Sequence, residues 1–276
     1  MQSVTLKNGD WTAVVVPDFG ADLVSLRHGG TPILLESMAE QELLSSPFVH
    51  GSPLLLPPNR TDGGAFLFQG TEYHLPLSEP SRCNNLHGEL YHAPFSVVEK
   101  SSDRLTLRHE EDGSLYPFPC VLTRRFTLTK EGLLDEVTVE NTGDGDMPFV
   151  LGFHTTFHDP SFVSLRLAEK WERDGRFLPT GRKILLDDAD RALSSGCDPR
   201  GVKYSGCYPI GEHHAVVDGI RFTVSETFHE WVLFSGSGFF CAEPQSGMVN
   251  GLNRKDGHQE LSPGGAWRCS MRYSLN

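Results

Sequence analysis

The chain consists of many short segments rich in β-branched and aromatic residues, separated by Gly, Pro, Asp and Asn. Residues 12–17 read TAVVVP, and residues 103–109 alternate between polar and apolar side chains. Such segments are typical of strands, and the residues between them are typical of turns. A chain of 276 residues is long enough to form a large all-β sandwich. We therefore predict an all-β fold, a large antiparallel β-sandwich in which residues 1–276 form a single domain.

The clearest hairpin is predicted in the middle of the chain, where residues 121–129 and 134–140 flank a short turn with Gly132. Helix is expected to be scarce. Residues 36–44 could form two turns, and residues 187–193 could form one. The absence of a repeated βα alternation argues against a doubly wound sheet or an α/β barrel.

The formal net charge of the chain is -12. An acidic protein repels nucleic acids and anionic membranes, so a small molecule is the more natural partner. The six cysteines are scattered without a C-x-x-C motif, which favours reduced thiols and a cytoplasmic location. We see no signal peptide and no apolar run of ~18 residues that could span a membrane. The chain is expected to act as a monomer or homodimer.

Glu243 follows the apolar run of residues 238–242 and precedes Pro244. The proline is expected to end strand pairing just beyond the acid. A Glu at a strand end is commonly a solvated rim residue, but an acid in apolar surroundings also suggests catalysis. Burial would raise the pKa of this carboxyl and make it a better base.

His154 lies among phenylalanines in the GFHTTFH segment of residues 152–158. An imidazole in such a place is more often a packed structural residue than a catalyst, but it can donate a proton near neutral pH. His154 and His158 are four residues apart, a spacing that suits a metal site on a helix. Because the segment is predicted as strand and turn, we expect no metal here.

Two further segments combine polar side chains with turn residues. Asn59 and Arg60 lie between a proline-containing apolar run and a Gly-Gly turn, where they could form a loop ion pair or bind a substrate. His87 precedes Gly88, which suggests a tight turn that exposes the imidazole. The sequence contains neither a nucleotide-binding fingerprint nor a G-x-S-x-G motif, so no cofactor is expected.

Taken in order, these motifs resemble the aldose 1-epimerase (galactose mutarotase) family over nearly the whole chain. The segments that carry the resemblance are PPNR at residues 57–60, GAFLFQGTEY at 64–73, NNLHG at 84–88, the strand leading to His154, LPTG at 178–181 and EPQ at 243–245. Each segment is short, but their common order and compatible spacing make the resemblance specific.

The resemblance implies a β-supersandwich with an open cleft across one sheet, and the interconversion of α and β anomers of a free sugar. It implies that Glu243 takes the proton from the C1 hydroxyl and that His154 protonates the ring oxygen. One carboxylate and one imidazole suffice for such paired proton transfer, without a cofactor or metal. The residues expected to bind the sugar are Asn59, Arg60, His87 and Gln245.

The chain departs from the family where the sugar is held. Family members often carry an acidic pair before the last strands, whereas the corresponding segment here, residues 203–208, contains no acid. Asp218 or Asp62 could fill this role. The family's proline after the histidine is Thr155 here. Several arginines leave a phosphorylated or acidic sugar open as substrate; they are Arg82, Arg124, Arg125 and Arg254.

Three alternatives stay open at this point. One is a non-catalytic sugar-binding module on the same fold, because a fold does not determine function. The second is a hexose-6-phosphate mutarotase. The third is a lyase or hydrolase with a related sandwich, but a hydrolase needs two carboxylates at a set separation and the sequence offers one well-placed acid.

Overall fold

The computed structural model describes residues 1–37 and 39–276 and consists mainly of antiparallel strands. The strands of the first half are β1 (Val4–Asn8), β2 (Trp11–Val16), β3 (Asp22–His28), β4 (Thr31–Pro32), β5 (Leu54–Leu55), β6 (Arg60–Asp62), β7 (Ala65–Phe68), β8 (Thr71–His74), β9 (Asn84–Leu86), β10 (Ser96–Lys100), β11 (Arg104–Glu111), β12 (Cys120–Leu128) and β13 (Gly132–Asn141). Those of the second half are β14 (Met147–Phe149), β15 (Gly152–Phe153), β16 (Thr156–His158), β17 (Val163–Ser164), β18 (Lys170–Arg173), β19 (Pro179–Ile184), β20 (Ser205–Pro209), β21 (His214–Val217), β22 (Ile220–Val224), β23 (Glu230–Gly236), β24 (Phe239–Gln245), β25 (Gln259–Leu261) and β26 (Ala266–Leu275). The predicted all-β sandwich is confirmed.

Three sheets contain most of these strands. The largest has eight strands in the order β10-β11-β12-β13-β26-β22-β21-β17. A six-stranded sheet has the order β20-β23-β24-β15-β5, with β16 also paired to β24, and β1 to β4 form a four-stranded meander. Two-stranded ladders, among them β6 with β9 and β18 with β19, extend from this framework. The six-stranded sheet matters most for function because it carries both Glu243 and the segment around His154.

The local predictions agree with the structure in type and shift at their boundaries. Strands β12 and β13 form the predicted antiparallel hairpin. The two helices are α1 (Glu40–Ser45) and α2 (Asp188–Ser195), and α2 begins with a capping box in which Asp187 accepts a hydrogen bond from the Asp190 N–H. Single 3₁₀ turns occur at Pro80–Arg82, Leu90–His92 and Gly251–Asn253. Among residues 1–37 and 39–276, no helix is long and apolar enough to cross a membrane.

Aromatic side chains fill the core between the six-stranded and eight-stranded sheets. The ring of Phe157 on β16 lies 5.5 Å from Phe222 on β22, and Phe222 lies 5.9 Å from Trp231 on β23. All three side chains are buried. Burying one such side chain stabilises the fold by roughly 1.5–3 kcal/mol, so this layer holds the two sheets together.

A buried ion pair also connects the layers. Arg124 on β12 donates two hydrogen bonds to the carboxylate of Asp135 on β13, at 3.1 and 2.7 Å. Its remaining donors reach the carbonyls of Ala21 and Ser52, at 3.2 and 3.0 Å. Ser52 Oγ lies 2.8 Å from Thr155 Oγ1, within hydrogen-bonding distance. Arg124 therefore fixes the backbone at Ser52, and the Ser52 hydroxyl in turn contacts Thr155, the residue next to His154.

The prediction that Pro244 ends strand pairing is wrong. Strand β24 continues through this residue, which faces Trp231 on β23. The N–H of Ala242 donates to the carbonyl of Thr155, and the N of Pro244 points to the same side because successive residues of a strand alternate. On that side the partner is interrupted between β15 and β16, so no donor is required at Pro244.

Candidate active site

A cleft of about 480 Å³ lies on the face of the six-stranded sheet that points away from the core. Its floor is formed by β23 and β24, where Glu243 is flanked by Val232 on the neighbouring strand. The wall on one side carries Asn59, Arg60 and His87. The end of β18, Phe177 and the start of β20 also line the cleft. Most residues predicted for the site from the sequence therefore meet in one cleft.

Glu243 reaches the cleft because β24 alternates its side chains. Phe240 and Ala242 face the core, whereas Glu243 faces the cleft and is only 2% exposed. Burial raises the pKa of this carboxyl to about 8, and the positive charge of Arg60 opposes the increase. Burial disfavours the carboxylate, so the protonated form of Glu243 is favoured at neutral pH.

His154 lies in the break between β15 and β16, opposite Glu243. Its N–H donates to the carbonyl of Pro53 at 3.1 Å, and its Nδ1 lies 3.4 Å from Thr156 Oγ1. Its Nε2 lies 3.5 Å from Oε1 of Glu243. Burial lowers the pKa of this imidazole to about 4, so the ring is neutral at pH 7. The result is a buried acid–base pair at the bottom of the cleft.

His87 is held by two hydrogen bonds with Asn59, one donated by each residue. The N–H of His87 donates to the carbonyl of Asn59 at 2.8 Å, and the N–H of Asn59 donates to His87 Nδ1 at 3.2 Å. Because Nδ1 accepts, the ring proton of neutral His87 is on Nε2. Burial, and then the neighbouring His154 and Arg60, keep the pKa of His87 well below its usual value. His87 therefore offers one fixed N–H donor to a ligand.

The predicted turn after His87 exists, but the imidazole is not exposed as expected. The ring is buried and packs against Phe48, with 4.4 Å between the ring centroids, and it lies 5.4 Å from the ring of His154. Gly88 has a φ of 60°, and a Cβ there would lie 2.2 Å from the carbonyl oxygen of Leu56. A glycine is therefore required for His87 to sit this close to the end of β5.

Arg60 is fixed by a carboxylate outside the sheet. Its Nε and Nη2 donate to the two oxygens of Glu79 at 2.8 and 2.9 Å, and its Nη1 lies 3.3 Å from Asn59 Oδ1. Arg82 also donates to Glu79, at 2.9 Å. Although partial burial opposes the shift, hydrogen bonds from Arg60 and Asn84 lower the pKa of Glu79 to about 2. Both guanidiniums thus share one permanent negative charge at the rim of the cleft.

Gln245 lies on the same face of β24 as Glu243 but is fully buried beside Pro58, and it is not part of the cleft wall. Neither amide atom of Gln245 has a hydrogen-bond partner in the part of the chain that the structure describes. Contact between Gln245 and a sugar stays a prediction.

Several cleft residues were not predicted from the sequence. Among them are Phe48, Arg173, Phe177 and Lys203. None belongs to a recognisable motif, and the two cations could not be distinguished among the 24 lysines and arginines of the chain. Their position depends on how β18 and β20 pack, which a local pattern does not encode.

Of the four arginines named as candidates for an acidic sugar, only Arg82 lines the cleft. Arg124 is enclosed in the core, Arg125 is an exposed residue of β12, and Arg254 donates to the carbonyl of Pro179.

The two acids suggested as substitutes for the missing aspartate do not line the cleft either. Asp62 forms an ion pair with Arg176 at 2.6 Å, and Asp218 accepts bonds from the N–H groups of Ser161 and Phe162. Ser205 borders the cleft in the segment where the family resemblance suggested an acid.

Cys241 extends the acid–base pair into a group of three potential metal ligands. Its Sγ, a nitrogen of His154 and an oxygen of Glu243 lie within 4.8 Å of one another, and all three residues are buried. Burial keeps the pKa of the Cys241 thiol well above its usual value, so the sulfur is protonated in the structure. A soft divalent ion could use these donors if it displaced the proton. The absence of a metal requirement stays a prediction.

A β-sandwich with a buried carboxyl–imidazole pair in an open cleft is the class of protein that these features define. Residues 2–274 match the family model described as aldose 1-epimerase, so the chain belongs to the aldose 1-epimerase family. This membership confirms the resemblance inferred from the sequence motifs and supports a mutarotase-type isomerase.

Relatives by sequence cover only part of the chain. The uncharacterized protein YihR of Escherichia coli K12 is 31% identical over 156 residues, which are 55% of this chain and 49% of YihR. YphB of the same organism is 31% identical over 105 residues, 38% of this chain and 36% of YphB. The chain thus spans about half the length of YihR and about a third of YphB in these matches.

Solved structures show the same fold over almost the full length. A galactose mutarotase-like protein from Clostridium acetobutylicum has a TM-score of 0.91 at 21% identity, covering 99% of this chain and 95% of its own. Galactose 1-epimerase from Lactobacillus acidophilus has a TM-score of 0.81 at 16% identity, covering 99% and 94%. At these identities the likeness concerns the fold.

Proposed function

We propose that the protein is a mutarotase, an enzyme that interconverts the α and β anomers of an aldose by acid–base opening and closing of the sugar ring. The observation that carries this proposal is the buried pair of His154 and Glu243, with 3.5 Å between Nε2 and Oε1 at the bottom of an open cleft. Family membership agrees with this class of reaction. A module that only binds sugar has no need of such a pair.

The pair holds one proton over a wide range of pH. The pKa of His154 is lowered to about 4 and that of Glu243 is raised to about 8, so between these values the two groups together carry a single proton. Because the pKa of Glu243 is the higher of the two, this proton is on Glu243. Its transfer to His154 gives the carboxylate and imidazolium form, in which the base and the acid are both ready.

In the proposed reaction the carboxylate of Glu243 accepts the proton of the C1 hydroxyl. The C1 oxygen then forms the aldehyde carbonyl, the bond from C1 to the ring oxygen breaks, and the ring oxygen takes a proton from His154. Rotation about the bond between C1 and C2 exposes the other face of the aldehyde. Reclosure runs the two transfers in reverse, so the pair again carries one proton.

His87 and Arg60 are proposed to bind the sugar rather than to transfer protons. His87 is buried and neutral, and its Nδ1 already accepts the Asn59 N–H, which leaves Nε2–H as a donor for a hydroxyl. Arg60 is pinned by Glu79, and its positive charge favours the carboxylate form of Glu243. Preorganised groups of this kind stabilise developing charge without reorganisation.

Anomeric exchange spectroscopy tests the proposal directly. Catalysed exchange between the α and β signals of an aldose should appear with the wild-type protein and disappear in the double variant Glu243→Gln with His154→Ala. Sugar binding without catalysed exchange, over a panel of neutral and acidic aldoses, would instead identify a binding module.

A further inference from the structure

The cleft carries more positive charge than its surroundings neutralise. Four cations line the cleft: Arg60, Arg82, Arg173 and Lys203. Within the part of the chain that the structure describes, Glu79 is the single carboxylate paired with any of them. This excess occurs in a protein whose formal net charge is -12. A local cationic site in an acidic protein attracts an anionic ligand.

Arg173 is held in place but keeps free donors. Its Nη2 lies 3.1 Å from Ser205 Oγ and also donates to the Ser205 carbonyl. The guanidinium packs over the ring of Phe177, 5.1 Å from the centroid, and the same ring is contacted by Arg60 and Arg82 at 5.0 and 4.7 Å. Its Nε and Nη1 make no side-chain hydrogen bond within the described chain. A fixed guanidinium with unused donors suits an oxyanion.

The register of the sheet gives the position of this site relative to the reacting pair. Glu243 faces Val232 on β23, and Val232 faces Cys207 on β20, so Cys207 is two strands from Glu243. Two strand spacings correspond to about 10 Å. Ser205 lies on the same face of β20, two residues before Cys207. A sugar whose C1 lies at Glu243 can therefore place a substituent from the far side of its ring, such as C6, near Arg173.

We propose that Arg173 and Lys203 bind an acidic group carried at the C6 end of the sugar, so that the substrate is an anionic aldose with a phosphate, sulfo or carboxylate group. This inference rests on the proposed mutarotase function. It also accounts for Ser205 near this end, where an acid would hold the hydroxyls of a neutral sugar. The Ser205 hydroxyl accepts a hydrogen bond from Arg173 and carries no charge. It therefore does not repel an anionic group, as a carboxylate at this position would.

The substrate class is tested by four sugars that share the gluco configuration: glucose, glucose 6-phosphate, 6-deoxy-6-sulfoglucose and glucuronate. After subtraction of the spontaneous rate, kcat/KM for at least one anionic sugar should exceed that for glucose at least about tenfold. The preferred member distinguishes phosphate, sulfo and carboxylate as the source of the anion. Equal or better turnover of glucose than of all three anionic sugars overturns the inference.

The double variant Arg173→Gln with Lys203→Gln should raise KM for the preferred anionic sugar about ten- to hundredfold, because two charge-assisted contacts are lost. Its kcat/KM for glucose should fall much less than its kcat/KM for the anionic sugar. A matched control is Arg182→Gln with Lys7→Gln, which removes two charges from exposed positions outside the cleft. The same loss in the control, or no loss in the cleft variant, contradicts the proposed site.

Binding measurements separate failure of this site from failure of the proposed reaction. In Glu243→Gln the acid–base pair is removed, but the anionic sugar should still bind, and Arg173→Gln in that background should weaken binding. If the wild-type protein binds the anionic sugar in this way without accelerating exchange, the subsite stands and the mutarotase proposal fails. If exchange is catalysed but glucose binds as tightly as its charged analogues, the reaction stands and the subsite fails.

Discussion

His154 Nε2 lies 3.5 Å from Glu243 Oε1, and both side chains are buried on the cleft side of one sheet. Neither group has its ordinary affinity for protons, because burial disfavours the charged form of each. The pair is therefore a single proton-sharing unit whose two members exchange roles during the proposed reaction.

Replacing Glu243 by Gln keeps the shape of the side chain and removes the base. The rate of anomeric exchange should fall by ~10²-fold or more, measured as kcat with a saturating sugar. The matched control is Glu230→Gln, which removes another buried carboxyl on the adjacent strand, where it accepts a hydrogen bond from Trp171 outside the cleft. Near-normal turnover in Glu243→Gln would refute its assignment as the base.

The two histidines should respond differently to truncation. His154→Ala should lower kcat mainly, because proton delivery to the ring oxygen is a transition-state interaction. His87→Ala should also raise KM, since its Nε2–H is proposed to hold a hydroxyl of the bound sugar. Steady-state kinetics of both variants with the same sugar provide the check. An exchange of the two signatures would reverse the assigned roles.

The pH dependence of kcat/KM should form a plateau between about pH 4 and about pH 8. Below the plateau His154 and Glu243 are both protonated, so the base is lost. Above it both have lost their protons, so the acid is lost. The profile of the free enzyme reports the pKa values of the pair as a unit. A rate that keeps rising well above pH 8 would be incompatible with a shared proton.

The raised pKa of Glu243 should also make the free energy of unfolding depend on pH. The folded protein retains this proton up to about pH 8, whereas the unfolded chain releases it near the ordinary pKa of 4.5. The stabilising contribution of the Glu243 proton is therefore fully present below the pKa of the unfolded chain. It is lost as pH rises through the pKa of the folded protein. Because Gln does not titrate, the advantage of Glu243→Gln in free energy of unfolding should grow on the order of 4 kcal/mol from pH 5 to pH 9. Urea denaturation of both proteins at these pH values measures it, and a constant difference would contradict the cause.

A chelator should leave activity unchanged, because the proposed proton transfers use only His154 and Glu243. Added Zn²⁺ should inhibit, since Cys241 completes a set of three donors with this pair. Inhibition should be reversed by the chelator and weakened in Cys241→Ala. Loss of activity on chelation, followed by recovery with a divalent ion, would mean that the trio is a functional metal centre.

The sequence was sufficient for the strand-rich fold and for both members of the acid–base pair, because strands and short motifs are local features. The cationic residues of the cleft could not be predicted from the sequence. Arg173 and Lys203 belong to no motif. Lys203 approaches the cleft because β20 pairs with β23, which pairs with β24, and Arg173 on β18 reaches it through its contact with Ser205. Pro244 shows the same limit. A proline is tolerated inside β24 because the neighbouring strand is interrupted between β15 and β16, and a local pattern does not reveal this interruption.

The ion pair of Arg124 with Asp135 links the position of His154, and therefore its distance from Glu243, to the packing of the core between the sheets. The same guanidinium that neutralises Asp135 in one sheet holds the carbonyl of Ser52, and the Ser52 hydroxyl contacts Thr155, the neighbour of His154. Asp135 is remote from the cleft, yet its charge contributes to where the imidazole sits. A substitution at Asp135 should therefore change both the stability of the fold and the position of His154.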